Sequence, residues 1–204
     1  MVPTSLDLFA YLAAFVTVIL ALAVSDWLQS LHRLLRARKR VRWSAVAILA
    51  ASLVFLAILE EFFDLWRLAG VQRFTYVDLI ALIAPPIVLS IAAMTVLPDE
   101  VPASGLDLAE HYMENRRLLY LLMFLWVVGI FVKVSDLHPL VTGKPVSILQ
   151  LARVFPWQTI PLMLLFGLMA WSRNMNIQRC GLIVSFVLVN SSMVDRSLEV
   201  VQAG

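Results

Sequence analysis

Cysteine is almost absent: Cys180 is the only one in 204 residues. That excludes an intrachain disulfide and any multi-cysteine metal or iron–sulfur centre. The three histidines, His32, His111 and His138, stand at the edges of apolar runs or in loops, so no pair is placed to hold a haem between facing helices. The seven glycines form no phosphate-cradling loop. No serine stands in an order with histidine and carboxylate from which a catalytic triad could be read. Polar sequence is also scarce, and no polar stretch is long enough to fold as a soluble domain. We expect no enzymatic chemistry, no cofactor and no bound metal.

Apolar sequence is what the chain has in excess. Hydrophobic residues make up 61% of it and the mean hydropathy is +0.88, well beyond soluble domains. The runs are continuous and do not alternate, which argues for spanning helices and against a barrel. Residues 1–204 therefore read as a single polytopic membrane domain. The first run has no basic segment before it and no small-residue cleavage site after it, so it reads as a retained span.

Six spans can be delimited: about Leu6 to Leu28, Trp43 to Leu68, Tyr76 to Leu97, Leu118 to Val134, Ile148 to Trp171, and Cys180 to Val194. Pro85-Pro86 should kink or break the third. Between spans three and four, Asp107 to Arg117 reads as a short cytoplasmic interfacial helix. Asp107 and Glu110 have the spacing of a capping box there. Ser135 to Pro145 reads as a loop.

Charge sets the orientation. The loops after spans one, three and five hold Arg33, Arg36, Arg38, Lys39, Arg40, Arg42, Arg116, Arg117, Arg173 and Arg179. The other side holds Arg67, Arg73, Lys133, Lys144, Arg153 and Arg196. That asymmetry places the basic loops in the cytoplasm and both termini on the outer side. Val24-Ser25-Asp26 echoes Val134-Ser135-Asp136, as two inverted three-span halves would, but the rest of the halves do not match and coincidence explains it.

The second span ends in Leu59-Glu60-Glu61-Phe62-Phe63-Asp64-Leu65-Trp66-Arg67, with three carboxylates in five residues. Glu60 lies about 26 Å along the helix from Trp43, just inside the far edge of a ~30 Å hydrocarbon slab. Parity brings Asp78, Lys133, Asp136, Arg153, Gln158, Asn190 and Asp195 to the same half of the bilayer. Such groups avoid lipid, so a polar cavity open to the outside is expected. Crowded carboxylates at low dielectric should share a proton unless a cation or Arg153 compensates. The candidate ion-binding residues are thus Glu60, Glu61, Asp64, Arg153, Asn190 and Asp195, with Asp26 guarding the cytoplasmic end of span one. The structural alternative is a buried ion pair from Glu60 or Glu61 to Arg153 or Lys133 that pins helices together.

Arg36, Arg38, Lys39, Arg40, Arg116 and Arg117 suit anionic lipid headgroups. Nothing in the chain reads bases, so nucleic acid is not expected as a partner. Glu110, His111 and Glu114 could reach a divalent metal only with a ligand from elsewhere. Pairing of Glu114 with Arg117 on an amphipathic helix accounts for them better.

The pattern Leu97-Pro98-Asp99, then Gly105-x-Asp107-Leu108-x-Glu110-His111-Tyr112-x-x-Asn115-Arg116-Arg117, resembles a widespread group of bacterial membrane proteins of about this length. The stretch from Arg38 to Trp66 is similar to the same group. The resemblance covers about the first two-thirds of the chain. It implies a bacterial inner-membrane location and no particular activity. Glu60 and Glu61 depart from the uncharged polar and aromatic residues of that group. The expectation is a channel or small transporter for protons or small cations. The alternative is a non-transporting membrane protein with structural charges, and self-assembly is expected in either case.

Overall fold

The structure is a computed structural model that describes residues 5–65, 75–142 and 158–202, with side chains over 9–65, 75–133 and 158–191. It is all-α apart from one two-residue ladder. The helices are α1 (Ser5–Arg36), α2 (Ala45–Asp64), α3 (Tyr76–Val96), α4 (Leu108–Thr142), α5 (Thr159–Trp171) and α6 (Met175–Gln202). Four stretches are long and apolar enough to cross a bilayer: Phe9–Arg36, Ala45–Asp64, Tyr76–Val96 and Leu108–Lys133. α5 is apolar but shorter.

Large apolar side chains cover the outside of the bundle. Tyr11, Leu22, Ile80, Leu121, Leu164 and Val187 are all more than half exposed. An exposed apolar girdle of this extent suits lipid and not water. Inside, small residues bring the helices close, as membrane bundles require where lipid removes the hydrophobic drive. Ala47, Ala50, Ala51 and Ala57 of α2 are buried, as are Ala92 and Ala93 of α3. α3 packs against α1, α2 and α4, while α2 also meets α6 and α4 also meets α5.

Three connections gather at one end of the bundle. β1 (Val41–Arg42) pairs in parallel with β2 (Leu106–Asp107), joining the α1–α2 corner to the α3–α4 corner. Arg42 reaches Asp107 at 3.0 Å. Gly105 makes the close approach possible: its φ is +98°, and a Cβ there would meet the Arg40 carbonyl at 3.0 Å. Arg33 lies 3.7 Å from Asp99. The turn between α5 and α6 joins the same end through Arg116, whose Nε donates to the Ser172 carbonyl.

Three boundaries differ from the sequence expectations. The interfacial helix from Asp107 to Arg117 is not separate: it is the first turns of α4, which runs unbroken to Thr142. Asp107 does cap that helix, accepting from the Ala109 and Glu110 amides at 2.8 and 3.4 Å. Leu108, Tyr112 and Arg116 are buried against the bundle, so the segment packs into it and does not lie on the surface. No loop begins at Ser135, because α4 continues through it to Thr142. Finally, α3 is continuous through Pro85 and Pro86.

Candidate functional site

The last two turns of α2 turn their carboxylates inward and their aromatics outward. Phe62 and Phe63 are exposed, whereas Glu60, Glu61 and Asp64 are buried. Glu61 and Asp64 are three residues apart and therefore neighbours on one helix face. That face meets α4, on which Trp126 and Lys133 are two turns apart and share a side.

The contacts are short and specific. Lys133 Nζ lies 2.6 Å from Glu61 Oε1 and 3.0 Å from Asp64 Oδ2. The indole Nε1 of Trp126 donates to the other Glu61 oxygen at 3.1 Å. Glu61 and Trp126 are each 1% exposed and Lys133 2%, so bulk water does not screen the pair. Ionic attraction is strong in such surroundings, but so is the penalty for dehydrating each charge. The hydrogen bonds at both Glu61 oxygens offset part of that penalty.

This is the Glu61–Lys133 pair that the sequence offers as its structural alternative. The carboxylates are met from α4, the fourth span, where the leading expectation looked to Arg153 and Asn190 on spans five and six. Asn190 donates its amide to the Phe186 carbonyl of its own helix at 2.8 Å. Arg153 lies outside the described residues, as do the side chains of Asp136 and Asp195. Asp78 is engaged in its own helix start: its carboxylate accepts from the Thr75 amide at 2.6 Å, and Thr75 Oγ1 accepts from the Asp78 amide at 3.3 Å. The Thr75-x-x-Asp78 spacing before an apolar run is a capping-box signal that reading by span parity passed over. Trp126 carried no signal beyond being an aromatic in a span.

Asp26 belongs to the other end of the bundle. It is half-buried on α1, and its Oδ2 has no hydrogen-bond partner among the described residues. Beside it, the Trp27 indole donates to the Ala51 carbonyl at 3.1 Å and holds α1 to α2.

Of the basic residues suited to headgroups, Arg36, Arg38, Lys39, Arg40 and Arg117 are exposed. Arg116 is not: it is 6% exposed and spends its guanidinium on backbone carbonyls of Ser172 and Met113. Its place at the start of α4 faces the α5–α6 turn, so it ties helices together and does not extend into the headgroup layer. Next to it, the Tyr112 hydroxyl is 2.6 Å from the Tyr120 hydroxyl and donates to Gln178 Oε1, also at 2.6 Å. The Gln178 amide in turn donates to the carbonyls of Met169 and Ser172, both at 2.8 Å. This buried chain links α4, α5 and α6. Among the described residues no three of histidine, cysteine, aspartate and glutamate gather as a metal site.

No protein-family model matches the chain, and neither a curated relative nor a similar solved structure was found.

Proposed function

We propose that this is a six-span protein of a bacterial inner membrane that exchanges a proton or small cation at Glu61 and Asp64, with Lys133 as the built-in competitor. The observation that carries the reading is the Lys133 ammonium, held 2.6 and 3.0 Å from two buried carboxylates. An ammonium between two carboxylates occupies the position a monovalent metal ion would take. A proton arriving at either carboxylate, or a cation displacing the lysine, weakens the tie between α2 and α4. Charge entry at the site is thereby coupled to ionic contacts that hold these two helices together. A clamp alone does not call for ions, since well-packed apolar side chains serve as well or better. Ionisable groups within spanning segments are rare and costly, and ion pathways are one of the uses that keep them there.

The location follows the resemblance of the Leu97–Arg117 stretch, and the orientation follows the excess of arginine and lysine at the Arg38 end. The acidic network then faces the outer half of the bilayer, and the exposed Arg36, Arg38, Lys39, Arg40 and Arg117 face cytoplasmic headgroups. We assign the protein no catalytic step.

A second reading is a non-transporting scaffold. The enclosure of Glu61 and Lys133, at 1% and 2% exposure, favours it. Proteoliposomes loaded with a pH-sensitive dye separate the two. Transport requires proton or cation flux driven by an imposed gradient, and Glu61→Gln should reduce it at least tenfold. Absence of flux from wild-type protein under proton, sodium and potassium gradients would sink the transport reading and leave the scaffold.

A further inference from the structure

The start of α4 holds a buried cation without a counter-charge. Arg116 is 6% exposed. Its Nε donates to the Ser172 carbonyl at 3.1 Å and its Nη1 to the Met113 carbonyl. Its Nη2 has no hydrogen-bond partner among the described residues. No carboxylate among the described residues pairs with it: Asp99 lies against Arg33 and Asp107 against Arg42, while Glu110 and Glu114 stand exposed. The charges that do act on its guanidinium are those of Arg173 and Arg117, which carry its own sign. A buried charge is costly unless it is paired. Carbonyl dipoles offset part of that cost, and two like charges nearby add to it. The place therefore favours an anion.

The turn between α5 and α6 narrows what that anion is. Arg173 follows directly on Ser172, whose carbonyl Arg116 holds, and Arg117 is the next residue along α4. Both are exposed. Here α6 begins: the Asn174 amide donates to Ser172 Oγ at 3.2 Å, and the Asn176 amide to Asn174 Oδ1 at 2.9 Å. The positive end of the α6 dipole thus adds to the same field. On the other side of Ser172 stands Trp171, 82% exposed at the end of an apolar helix. Tryptophan in such a position suits the bilayer interface, which sets the turn at headgroup depth.

We propose that the α5–α6 turn is a phosphate-binding site. The exposed Arg117 and Arg173 hold the phosphate oxygens, and the buried charge of Arg116 draws the anion from behind. A guanidinium fork bonds two phosphate oxygens at once, so two exposed forks suit one such group. The phosphate can belong to an anionic lipid headgroup or to a soluble compound, since both present the same oxygens. The site differs in kind from the basic loop at Arg38, Lys39 and Arg40. Every side chain there is exposed, and no buried charge lacks a partner. The inference is independent of what passes, or does not pass, at Glu61 and Asp64.

Melting of the full chain, stripped of lipid in a non-ionic detergent, tests it in two arms. One compares inorganic phosphate with chloride at equal ionic strength. The other compares phosphatidylglycerol with phosphatidylcholine, whose phosphate is already neutralised by its own ammonium. A saturating ligand should raise the melting temperature by about 3–10 °C. Arg116 is left unchanged, because its carbonyl bonds hold the fold. Arg173→Gln should lose at least half of the rise. Arg38→Gln removes the same charge from the exposed loop and should keep the rise whole, which also cancels any general effect of phosphate on the solvent. A rise in both arms means that phosphate itself is recognised. A rise with the lipid alone assigns the site to headgroups, and one with phosphate alone to soluble compounds. No rise in either arm would overturn the proposal. So would a rise that Arg173→Gln leaves whole, or one that Arg38→Gln diminishes as much.

Discussion

Gly129 of α4 lies against the ring of Pro85 in α3, so closely that a Cβ at position 129 would stand 2.8 Å from Pro85 Cγ. Prolines 85 and 86 deprive the carbonyls of Ala81 and Leu82 of their usual helical donors, yet the helix does not break. Within α3 itself Ser90 Oγ donates to the Pro86 carbonyl at 2.9 Å, and the missing side chain of Gly129 lets α4 press on the Pro85 ring.

Gly129→Val should therefore lower stability by about 1–3 kcal/mol through overpacking. For a chain of this size that is a fall of roughly 2–12 °C in melting temperature in detergent. Gly167 of α5 is the control, because a Cβ there meets nothing within 4 Å. Gly167→Ala should melt at the same temperature or slightly higher. A Gly129→Val protein as stable as the wild type would remove the close approach as a determinant of the fold.

Lys133→Met keeps the length of the side chain and removes its charge. Glu61 and Asp64 then lose the ammonium between them, and breaking a buried ion pair from one side costs about 3–5 kcal/mol. The double variant Lys133→Met with Glu61→Gln should recover a large part of that loss, since it removes charge from both sides. Chemical or thermal denaturation in detergent reads both. Additive losses in the double variant would show that the two residues do not interact.

Trp126 has a polar role despite its apolar setting. Trp126→Phe removes the donor to Glu61 and should cost about 1–3 kcal/mol, because a buried carboxylate oxygen is left unsatisfied. A double-mutant cycle with Glu61→Gln separates this from lost packing. A coupling near zero between positions 126 and 61 would mean the indole acts by volume alone.

Orientation is checked by labelling in intact cells with Cys180 removed. Arg38→Cys should be shielded from an impermeant thiol reagent, and Val141→Cys should react with it. The reverse pattern would invert the protein in the bilayer while leaving the Glu61–Lys133 network intact.

How much of this was legible depends on the distance over which each cause acts. The apolar runs that became α1 to α4 are local, so hydropathy found them. The ends of the helices were less legible. Pro85 and Pro86 suggested a break because the packing of Gly129 on Pro85 is a tertiary contact that sequence does not show. Asp107 to Arg117 looked like a surface helix because its charges are visible in sequence and the burial of Leu108 and Tyr112 is not. For the site, the carboxylates of α2 stood out at once, and span parity alone put them in the same half of the bilayer as Lys133. Arg116 was misjudged for a related reason: an arginine that satisfies backbone carbonyls reads in sequence like one that seeks phosphate.

The sequence by itself determined that this chain forms long apolar helices able to cross a membrane, and which end of each helix carries which charge. Both follow from the length and order of apolar and polar residues, whose transfer energies belong to each residue alone. Only the tertiary structure decided that Glu61 and Asp64 meet Lys133 and Trp126. Glu61 and Lys133 are 72 positions apart, and their meeting depends on how far α2 and α4 are each rotated about their axes. In lipid that rotation is not set by hydropathy, because one apolar face serves as well as another. It is set by close fits such as Gly129 on Pro85, together with the need of each buried charge to find its partner.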